Sequence, residues 1–326
     1  IRRVGSRTAS ASRRARTRIV APIAAMPGGK GFVDSPGWFE DCFGFKEGSY
    51  KETRARFELA AGGMLVSLAN GARFHVGAFE TPSLAELRGR LAAAKPVPEL
   101  GGLTFRNVTG SAKTMHLDPK SAGAVFQVAS QFNCLEMNEP GARPEDGVTR
   151  YYCDATQGPA CALACPAGTV YRNYFVNDGR GQGGKHQIDC LAGVGELLQN
   201  GKEKHWKMVN GYCLPDVPGG IKRVSDRLAG DADLADAARD ALRVGVHWDT
   251  EVKGASHRVC QVFCSALPVA YAKAVKSGDW GAFATQVLMA TYEATLAVAA
   301  LLATERGVRV PVFLTAIGGG AFGNRS

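Results

Sequence analysis

The chain has 326 residues, enough for one large α/β domain or two small ones, and 45% of them are hydrophobic against 21% charged, as in a folded globular protein. The formal net charge is +9, but eight basic residues and no acidic residue lie in the first 33 positions, which leaves 31 basic against 30 acidic residues elsewhere. This nearly neutral remainder argues against a nucleic-acid partner, because a phosphate backbone is bound by a concentrated basic face.

The leading segment, 1–31, is rich in Arg and Ser and contains no acidic residue. This composition is typical of a plastid or mitochondrial transit peptide, and equally of a disordered basic tail. Both interpretations stay open, and without a targeting signal we expect a cytoplasmic location. No run of 18 or more apolar residues occurs, so we expect no membrane partner.

Residues 32–120 are predicted to form an N-terminal part that packs on the core. The runs MLVSLANG and RFHVGAF alternate with turn signals and predict a hairpin. A helix is expected to follow, with Thr81 or Ser83 as its cap and Pro82 in its first turn. Further on, LTFRNVTG (103–110) has the pattern of one more strand.

Residues 121–326 are predicted to form the core. Strand patterns alternate with helical ones, which predicts an α/β fold with a parallel or mixed sheet. Gly158-Pro159 opens a predicted helix of small residues that ends at Gly168. The predicted strands are 122–137, 243–248, 257–267 and the apolar run VRVPVFLTAIGGG, and the other predicted helices are 224–242 and 281–305.

Polar side chains follow the first core strand abruptly. Gln131 and Asn133 are placed to hydrogen-bond a ribose or an adenine, since ligands of open α/β sheets collect at the carboxyl ends of the strands. Gln157 and Gly158 stand at a predicted helix N-terminus, where free N–H groups favour phosphate or hydroxyl oxygens. For each of these residues a structural role remains the alternative.

The last strand runs into a glycine-rich bend. Glycine adopts positive φ and lets backbone N–H groups approach a ligand closely, and successive amides of this kind form a concavity suited to a diphosphate. An aromatic side chain in the bend would contact a sugar. The candidate ligand-binding residues of the bend are Gly318, Gly319, Gly320, Ala321, Phe322, Gly323 and Asn324; a simple turn is the alternative.

The strand followed by GGGAFGN resembles the second ligand loop of macrodomains, which wraps the diphosphate and distal ribose of ADP-ribose. The pieces QVASQFNCLEM, GVTRYYCDATQGPACALACPAGTVYRNYF, GVHWDTEV and CQVFCSALPVAY resemble the macrodomain branch that removes ADP-ribose from arginine side chains, so that the resemblance covers about residues 35–324. It implies a three-layer α/β/α core with a central mixed sheet and an N-terminal extension. The usual asparagine-rich first loop of macrodomains is absent, and SQFNCLE plus TQGPACA stand in its place.

Four acidic residues lie between or beside these pieces, and carboxylates can stabilise an anomeric cation, position water and protonate a leaving nitrogen. They would also attract the guanidinium of an arginine substrate. Three acids from this stretch are implied by the resemblance, and Glu136, Glu145 and Asp154 match best, with Asp146 the competing choice. We expect Asp154 and Glu145 to align ribose and water and Glu136 to orient the guanidinium, whereas capping or solvent-facing roles are the alternative.

The sequence therefore predicts an ADP-ribosylhydrolase that acts on ADP-ribosylated proteins without metal or other cofactor. The alternatives are a reader that binds ADP-ribose without cleaving it and a hydrolase of a small ADP-ribose derivative. Cys161 with Cys165 and Cys260 with Cys264 suggest a zinc site, but their spacing on a helix and on a strand favours buried small side chains. Oligomeric state is not predicted.

Overall fold

The computed structural model describes residues 35–95, 103–184 and 186–324. The basic segment 1–31 lies outside the described residues. The helices of the described chain are α1 Trp38–Phe43, α2 Tyr50–Ala55, α3 Leu84–Ala93, α4 Ala112–Leu117, α5 Gln157–Ala164, α6 Pro166–Tyr174, α7 Ala192–Leu197, α8 Asn200–Glu203, α9 Gly220–Gly230, α10 Ala232–Ala241 and α11 Gly281–Arg306. Its strands are β1 Phe57–Ala60, β2 Met64–Ser67, β3 Arg73–His75, β4 Ala78–Glu80, β5 Val125–Ala129, β6 Trp206–Val209, β7 Tyr212–Pro215, β8 Gly245–Glu251, β9 Arg258–Cys264 and β10 Val312–Phe313.

A mixed five-stranded sheet carries the core, with strand order β10-β5-β9-β8-β4. Strands β10, β5 and β9 are mutually parallel, and β8 is antiparallel to β9. The residues of β5 and β9 are almost all buried, as expected for strands covered on both faces. The α/β class with a mixed sheet is confirmed.

The N-terminal part begins with an antiparallel sheet of order β1-β2-β3, and β4 joins the central sheet beside β8. The predicted hairpin is the antiparallel β2-β3 pair, and β1 adds a third strand beside β2. The side chain of Ser83 accepts a hydrogen bond from the N–H of Glu86, and the Glu86 carboxylate accepts one from the N–H of Ser83. Ser83, and not Thr81, is thus the cap of α3.

The long helix α11 packs against α3, α9, α10 and strands β5 and β9. The stretch Ser277–Arg306, with a mean hydropathy of 1.6, is the one segment of the described chain whose length and composition would allow it to cross a membrane, and half of its apolar window is buried. A helix buried in the core of a folded domain meets the same criteria.

Four predicted boundaries are wrong. The stretch 103–110 forms no strand, because no neighbouring strand pairs with it, and its apolar side chains are exposed. Pro166 starts the new helix α6, so the helix that begins near Gly158 ends at Ala164 and Gly168 lies inside α6. The predicted helix 224–242 is divided by Asp231, whose side chain caps α10. The last strand has two residues, because only Val312 and Phe313 pair with β5.

Candidate functional site

A cleft lies where the parallel strands β10, β5 and β9 end. Its lining comes from Ala129–Gln131 at the end of β5, from Cys264 and Ala266 at the end of β9, and from 315–318 and 320–322 after β10. The atom-free space is about 760 Å³, part of which opens to solvent. Carboxyl ends of parallel strands are the usual ligand site of α/β sheets, and we call this space the acidic cleft because Glu136 and Asp154 also line it.

Gln127 in β5 fixes the neighbouring elements around the acidic cleft. Its buried amide donates to the hydroxyl of Thr295 in α11 at 3.1 Å and accepts from the N–H of Thr315 at 3.2 Å. Its backbone carbonyl accepts from the side chain of Gln157 at 2.8 Å. One residue thus connects the central strand to α11, to the start of the glycine bend and to the N-terminus of α5.

The glycine bend closes on itself through Asn324. The N–H of Asn324 donates to the carbonyl of Gly318 at 2.9 Å, and its side-chain amide donates to the carbonyl of Leu267 at 2.8 Å. Gly318 has φ +71°, and a Cβ there would stand 2.5 Å from that of Ala266, so only glycine fits without rearrangement. Asn324 therefore holds the bend, and it is not among the residues that line the acidic cleft.

Several backbone N–H groups of the bend have no acceptor within the described chain. Gly319 and Gly323 use theirs inside the bend, on the carbonyls of Ala316 and Gly320. The N–H groups of Gly318, Gly320, Ala321 and Phe322 make no hydrogen bond to a described residue, and these four residues line the acidic cleft. Free amides of this kind are the donors that an oxyanion requires.

Glu136 lies deep in the acidic cleft and is 4% exposed. Its backbone N–H donates to the Tyr151 hydroxyl at 3.1 Å, whereas Oε1 of its carboxyl group has no partner among the described residues. Burial raises the pKa of Glu136 well above 4.5, Arg172 opposes this, and the nearby Asp154 adds to it. The carboxyl group is therefore protonated over a wider pH range than a surface glutamate.

Arg172 is a fully buried cation behind Glu136. Its guanidinium donates to the carbonyl of Cys134 at 3.1 Å and to the hydroxyl of Thr169 at 3.1 Å, and it lies 3.8 Å from the ring centroid of Phe263. It does not line the acidic cleft. The guanidinium thus fixes the backbone at Cys134, two residues before Glu136.

Asp154 and Gln157 lie beside the N-terminus of α5, of which Gln157 is the first residue. Asp154 is half-buried, and its Oδ1 accepts from the N–H of Thr156 at 2.8 Å. The side chain of Gln157 accepts from the N–H of Ala129 at 2.9 Å, so it ties α5 to the end of β5. Both residues line the acidic cleft, although the amide of Gln157 is already used by the protein itself.

The remaining predicted residues divide into those inside and those outside the lining. Gln131 lines the acidic cleft, but its Oε1 accepts from the N–H of Met137 at 2.7 Å. Asn133 is completely buried and pairs with Gln187 and Leu135. Glu145 accepts from the N–H of Gly184 and is not brought to the acidic cleft. Gly319 and Gly323 belong to the bend without lining the space.

The competing acid Asp146 lies outside the lining as well. Its carboxylate accepts from the N–H of Arg143 at 2.9 Å and from the guanidinium of that residue at 3.1 Å. These contacts lower the pKa of Asp146. Asp146 therefore has a local structural role at the short helix that it closes.

An aromatic wall of Tyr212, Tyr271 and Phe322 borders the acidic cleft, and of these three only Phe322 was predicted from the sequence. Their ring centroids lie 5.3 to 5.6 Å apart, and all three line the acidic cleft. Tyr212 follows a two-residue turn, Asn210-Gly211, in which both φ angles are positive. An Asn-Gly pair between apolar runs is a strong hairpin signal, and it could have placed Tyr212 at the start of a strand.

The cysteine interpretation is consistent with the structure. Cys161, Cys165, Cys260 and Cys264 are buried free thiols, and no cluster of metal-ligating side chains occurs among the residues that the structure describes.

Charge in the acidic cleft comes from carboxyl groups alone. Glu136 and Asp154 line it, and no Lys, Arg or His of the described chain does so. An anionic ligand would therefore depend on the backbone N–H groups of the bend, and a cationic group would be attracted to the carboxyl side.

Comparisons of the chain with protein-family models, with curated proteins and with solved structures found no match.

Proposed function

We propose that the chain is a macrodomain-like ADP-ribosylhydrolase that removes ADP-ribose from arginine side chains of modified proteins. One observation carries the proposal: the glycine bend and Asp154 line the same cleft, together with the buried Glu136. Had the bend stood on the other side of the sheet from Asp154, one ligand could not have contacted both. The sequence resemblance supplies the name of the ligand, and the geometry is compatible with it.

The bend is the proposed diphosphate site. Four free N–H groups, those of Gly318, Gly320, Ala321 and Phe322, line the acidic cleft and can satisfy phosphate oxygens without a cationic side chain. Phe322 and Tyr271 offer aromatic surface to a sugar. Asn324 and Gly323 do not contact the ligand in this proposal, and their hydrogen bonds hold the conformation of the bend.

The carboxyl side is the proposed reaction site. Cleavage of an N-glycosidic bond separates an anomeric carbon from a nitrogen, so the leaving nitrogen must gain a proton and the cationic carbon needs a nearby negative charge. Glu136, whose pKa is raised by burial, is suited to donate the proton. Asp154 is suited to stabilise the cation and orient water, a task for which Glu145 lies in the wrong place.

The charge of the acidic cleft favours an arginine linkage. A guanidinium is cationic and planar and pairs well with carboxylates, and Glu136 and Asp154 are the two acids that line the acidic cleft. A serine or carboxyl-linked substrate brings no cation to this side. The proposal needs no metal or other cofactor.

A reader that binds ADP-ribose without cleaving it is the second candidate, and the free N–H groups of the bend favour it because they suffice for binding. The two carboxyl groups argue for the enzyme, since they would repel a diphosphate and bring no benefit to a binding module. A hydrolase of a small ADP-ribose derivative would use the same groups.

Calorimetry with free ADP-ribose, combined with turnover assays on arginine-, serine- and carboxyl-linked ADP-ribosylated peptides, tests the proposal. We expect binding, and release of ADP-ribose from the arginine-linked peptide only. Binding without release from any peptide would support the reader, and absence of ADP-ribose binding would refute both. Release from a small ADP-ribose ester or O-glycoside alone would favour the third candidate.

A further inference from the structure

Cys42 in α1 and Lys253, two residues after β8, meet outside the lining of the acidic cleft. Nζ of Lys253 donates to Sγ of Cys42 at 2.7 Å, although 211 positions separate them in sequence. A nitrogen donor and an oxygen acceptor commonly reach this distance, but sulfur is larger, and a hydrogen bond to it is expected near about 3.3 Å. The two atoms are therefore closer than a hydrogen bond to sulfur explains.

We infer that Cys42 and Lys253 form a modification site, at which peroxide joins Sγ and Nζ through one oxygen atom. Two single bonds of about 1.5 and about 1.7 Å that meet at a bent oxygen hold nitrogen and sulfur about 2.6 Å apart. The observed 2.7 Å separation matches this span. A direct sulfur–nitrogen bond would require the two atoms to approach by about a further 1 Å.

The chemistry uses two molecules of hydrogen peroxide. The first oxidises the Cys42 thiol to a sulfenic acid and leaves as one water. The second accepts two electrons as the sulfenic oxygen bonds to Nζ of Lys253, with the balance written for its amine form; the sulfenic O–H hydrogen and one N–H hydrogen depart in two waters. Sulfur and nitrogen each lose two electrons and both peroxides are reduced, so the product is S–O–NH with three waters in all. Thiol reductants reverse it by returning four electrons.

The site is reachable by a small oxidant. Cys42 is 5% exposed and Lys253 is half-buried, whereas Cys161 and Cys165 have no exposed surface. Peroxide is small and neutral, so it can reach the slightly exposed thiol of Cys42 more easily than a larger reagent can. Cys153 is exposed and provides a thiol without a comparable lysine contact.

The crosslink would join two parts of the fold. Cys42 lies in α1 and belongs, with Phe39 and Phe43 of the same helix, to a buried hydrophobic cluster. The N–H of Lys253 donates to the carbonyl of Ala164 at the end of α5. A covalent bond between residues distant in sequence reduces the entropy of the unfolded chain. Oxidation should therefore stabilise the N-terminal part against separation from the core.

The purified full-length chain, treated with hydrogen peroxide, tests this inference by intact and peptide mass spectrometry. We expect a gain of about 14 Da, the mass of one oxygen less two hydrogens, in a linked pair of peptides that contain Cys42 and Lys253. The pair should disappear with dithiothreitol, and the melting temperature of the oxidised protein should exceed that of the reduced protein by at least about 2 °C.

C42S and K253R should abolish the linked pair, and C153S should leave it intact. A Cys42 recovered only as free thiol, sulfinic or sulfonic acid, with an unlinked Lys253 peptide, would overturn the inference. A linked pair with a loss of about 2 Da would overturn the oxygen bridge, since it reports a direct sulfur–nitrogen bond. The wild-type peptides decide the matter even where a variant fails to fold.

Discussion

Gly158, in the first turn of α5, packs directly against the carboxyl group of Glu136. A Cβ on Gly158 would stand 2.2 Å from Oε2 of Glu136 and 2.0 Å from the carbonyl oxygen of Ala129. Gly158 was predicted to contact the ligand, but it does not line the acidic cleft. Its missing side chain leaves room for the buried Glu136 carboxyl group between β5 and α5. The position of Glu136 thus depends on the absence of a side chain one element away.

Gly158→Ala should displace Glu136 and lower the rate of ADP-ribose release by about 10-fold or more, as expected for misplacement of an acid by about 1 Å. Gly281→Ala is the matched control, because that glycine also lies in the first turn of a helix and a Cβ there meets no atom within 4 Å. Turnover assays with thermal melts of both variants provide the measurement. Equal activity in the two variants would show that the contact with Glu136 has no catalytic consequence.

Glu136→Gln should abolish turnover and stabilise the protein at neutral pH. The raised pKa of Glu136 means that the folded state binds a proton more tightly than the unfolded state, so the free energy of unfolding falls as pH rises above 4.5 towards the folded-state pKa. Glutamine is uncharged at every pH and avoids this loss. The free energy of unfolding of E136Q should therefore exceed that of the wild type by about 1 to 3 kcal/mol.

Thermal melts of wild type and E136Q from pH 4 to pH 9 measure this difference. We expect the two melting curves to converge at low pH and to separate as pH rises, with the variant higher. The wild-type turnover should also decline as pH rises through the pKa of Glu136, because the proton donor is lost. If E136Q were less stable than the wild type at pH 8, Glu136 would not be a buried acid whose ionisation destabilises the folded state.

Asp154→Asn and Glu145→Gln separate the two acids to which the sequence assigned the same role, the alignment of ribose and water. Asp154 lines the acidic cleft and Glu145 does not, so we expect D154N to lower kcat by about 100-fold or more, with E145Q within about 3-fold of wild type. ADP-ribose affinity should be retained in both. A loss of kcat in E145Q as large as that in D154N would restore the sequence-based choice.

Local sequence signals predicted the elements around the candidate site better than they predicted which side chains line it. The buried strand before Gln131, the helix start near Gly158 and the glycine run at 318–320 were all readable, because burial, capping and positive φ are properties of a few neighbouring residues. The sequence did not predict which acid lines the acidic cleft, because the positions of Glu136 and Glu145 depend on how the loop between β5 and α5 folds, and that is not a local property. Tyr271 reaches the aromatic wall through contacts with Tyr212 and Phe322, which are remote in sequence.

Gly318→Ala should weaken ADP-ribose binding by about 10-fold or more, and Gly62→Ala is its matched control. Both glycines have φ above +70°, so both variants incur the cost of a left-handed backbone, about 1 kcal/mol. A Cβ meets Ala266 and Asn324 only at Gly318. Calorimetry with ADP-ribose should therefore show unchanged affinity in G62A, and equal affinity in G318A would remove the bend from the binding site.

Glu47 holds the segment 148–154, which ends at Asp154, through hydrogen bonds to its first two residues. Its carboxylate accepts from the N–H groups of Val148 at 2.8 Å and Thr149 at 2.6 Å, and from the hydroxyl of Tyr174 at 2.7 Å. Both carboxylate oxygens are used, and a glutamine offers only one acceptor oxygen. Glu47→Gln should therefore leave one backbone donor unsatisfied and cost about 1 to 3 kcal/mol of stability.

Amide hydrogen exchange measures the effect at its origin. We expect the amides of Val148 and Thr149 to exchange faster in E47Q, and kcat to fall because Asp154 follows on the same segment. Glu40→Gln is the control, since Glu40 is half-exposed and its 4.0 Å contact with Lys46 contributes little. If exchange at 148 and 149 stays at the wild-type rate while kcat falls, the influence of Glu47 on the reaction does not pass through these two amides.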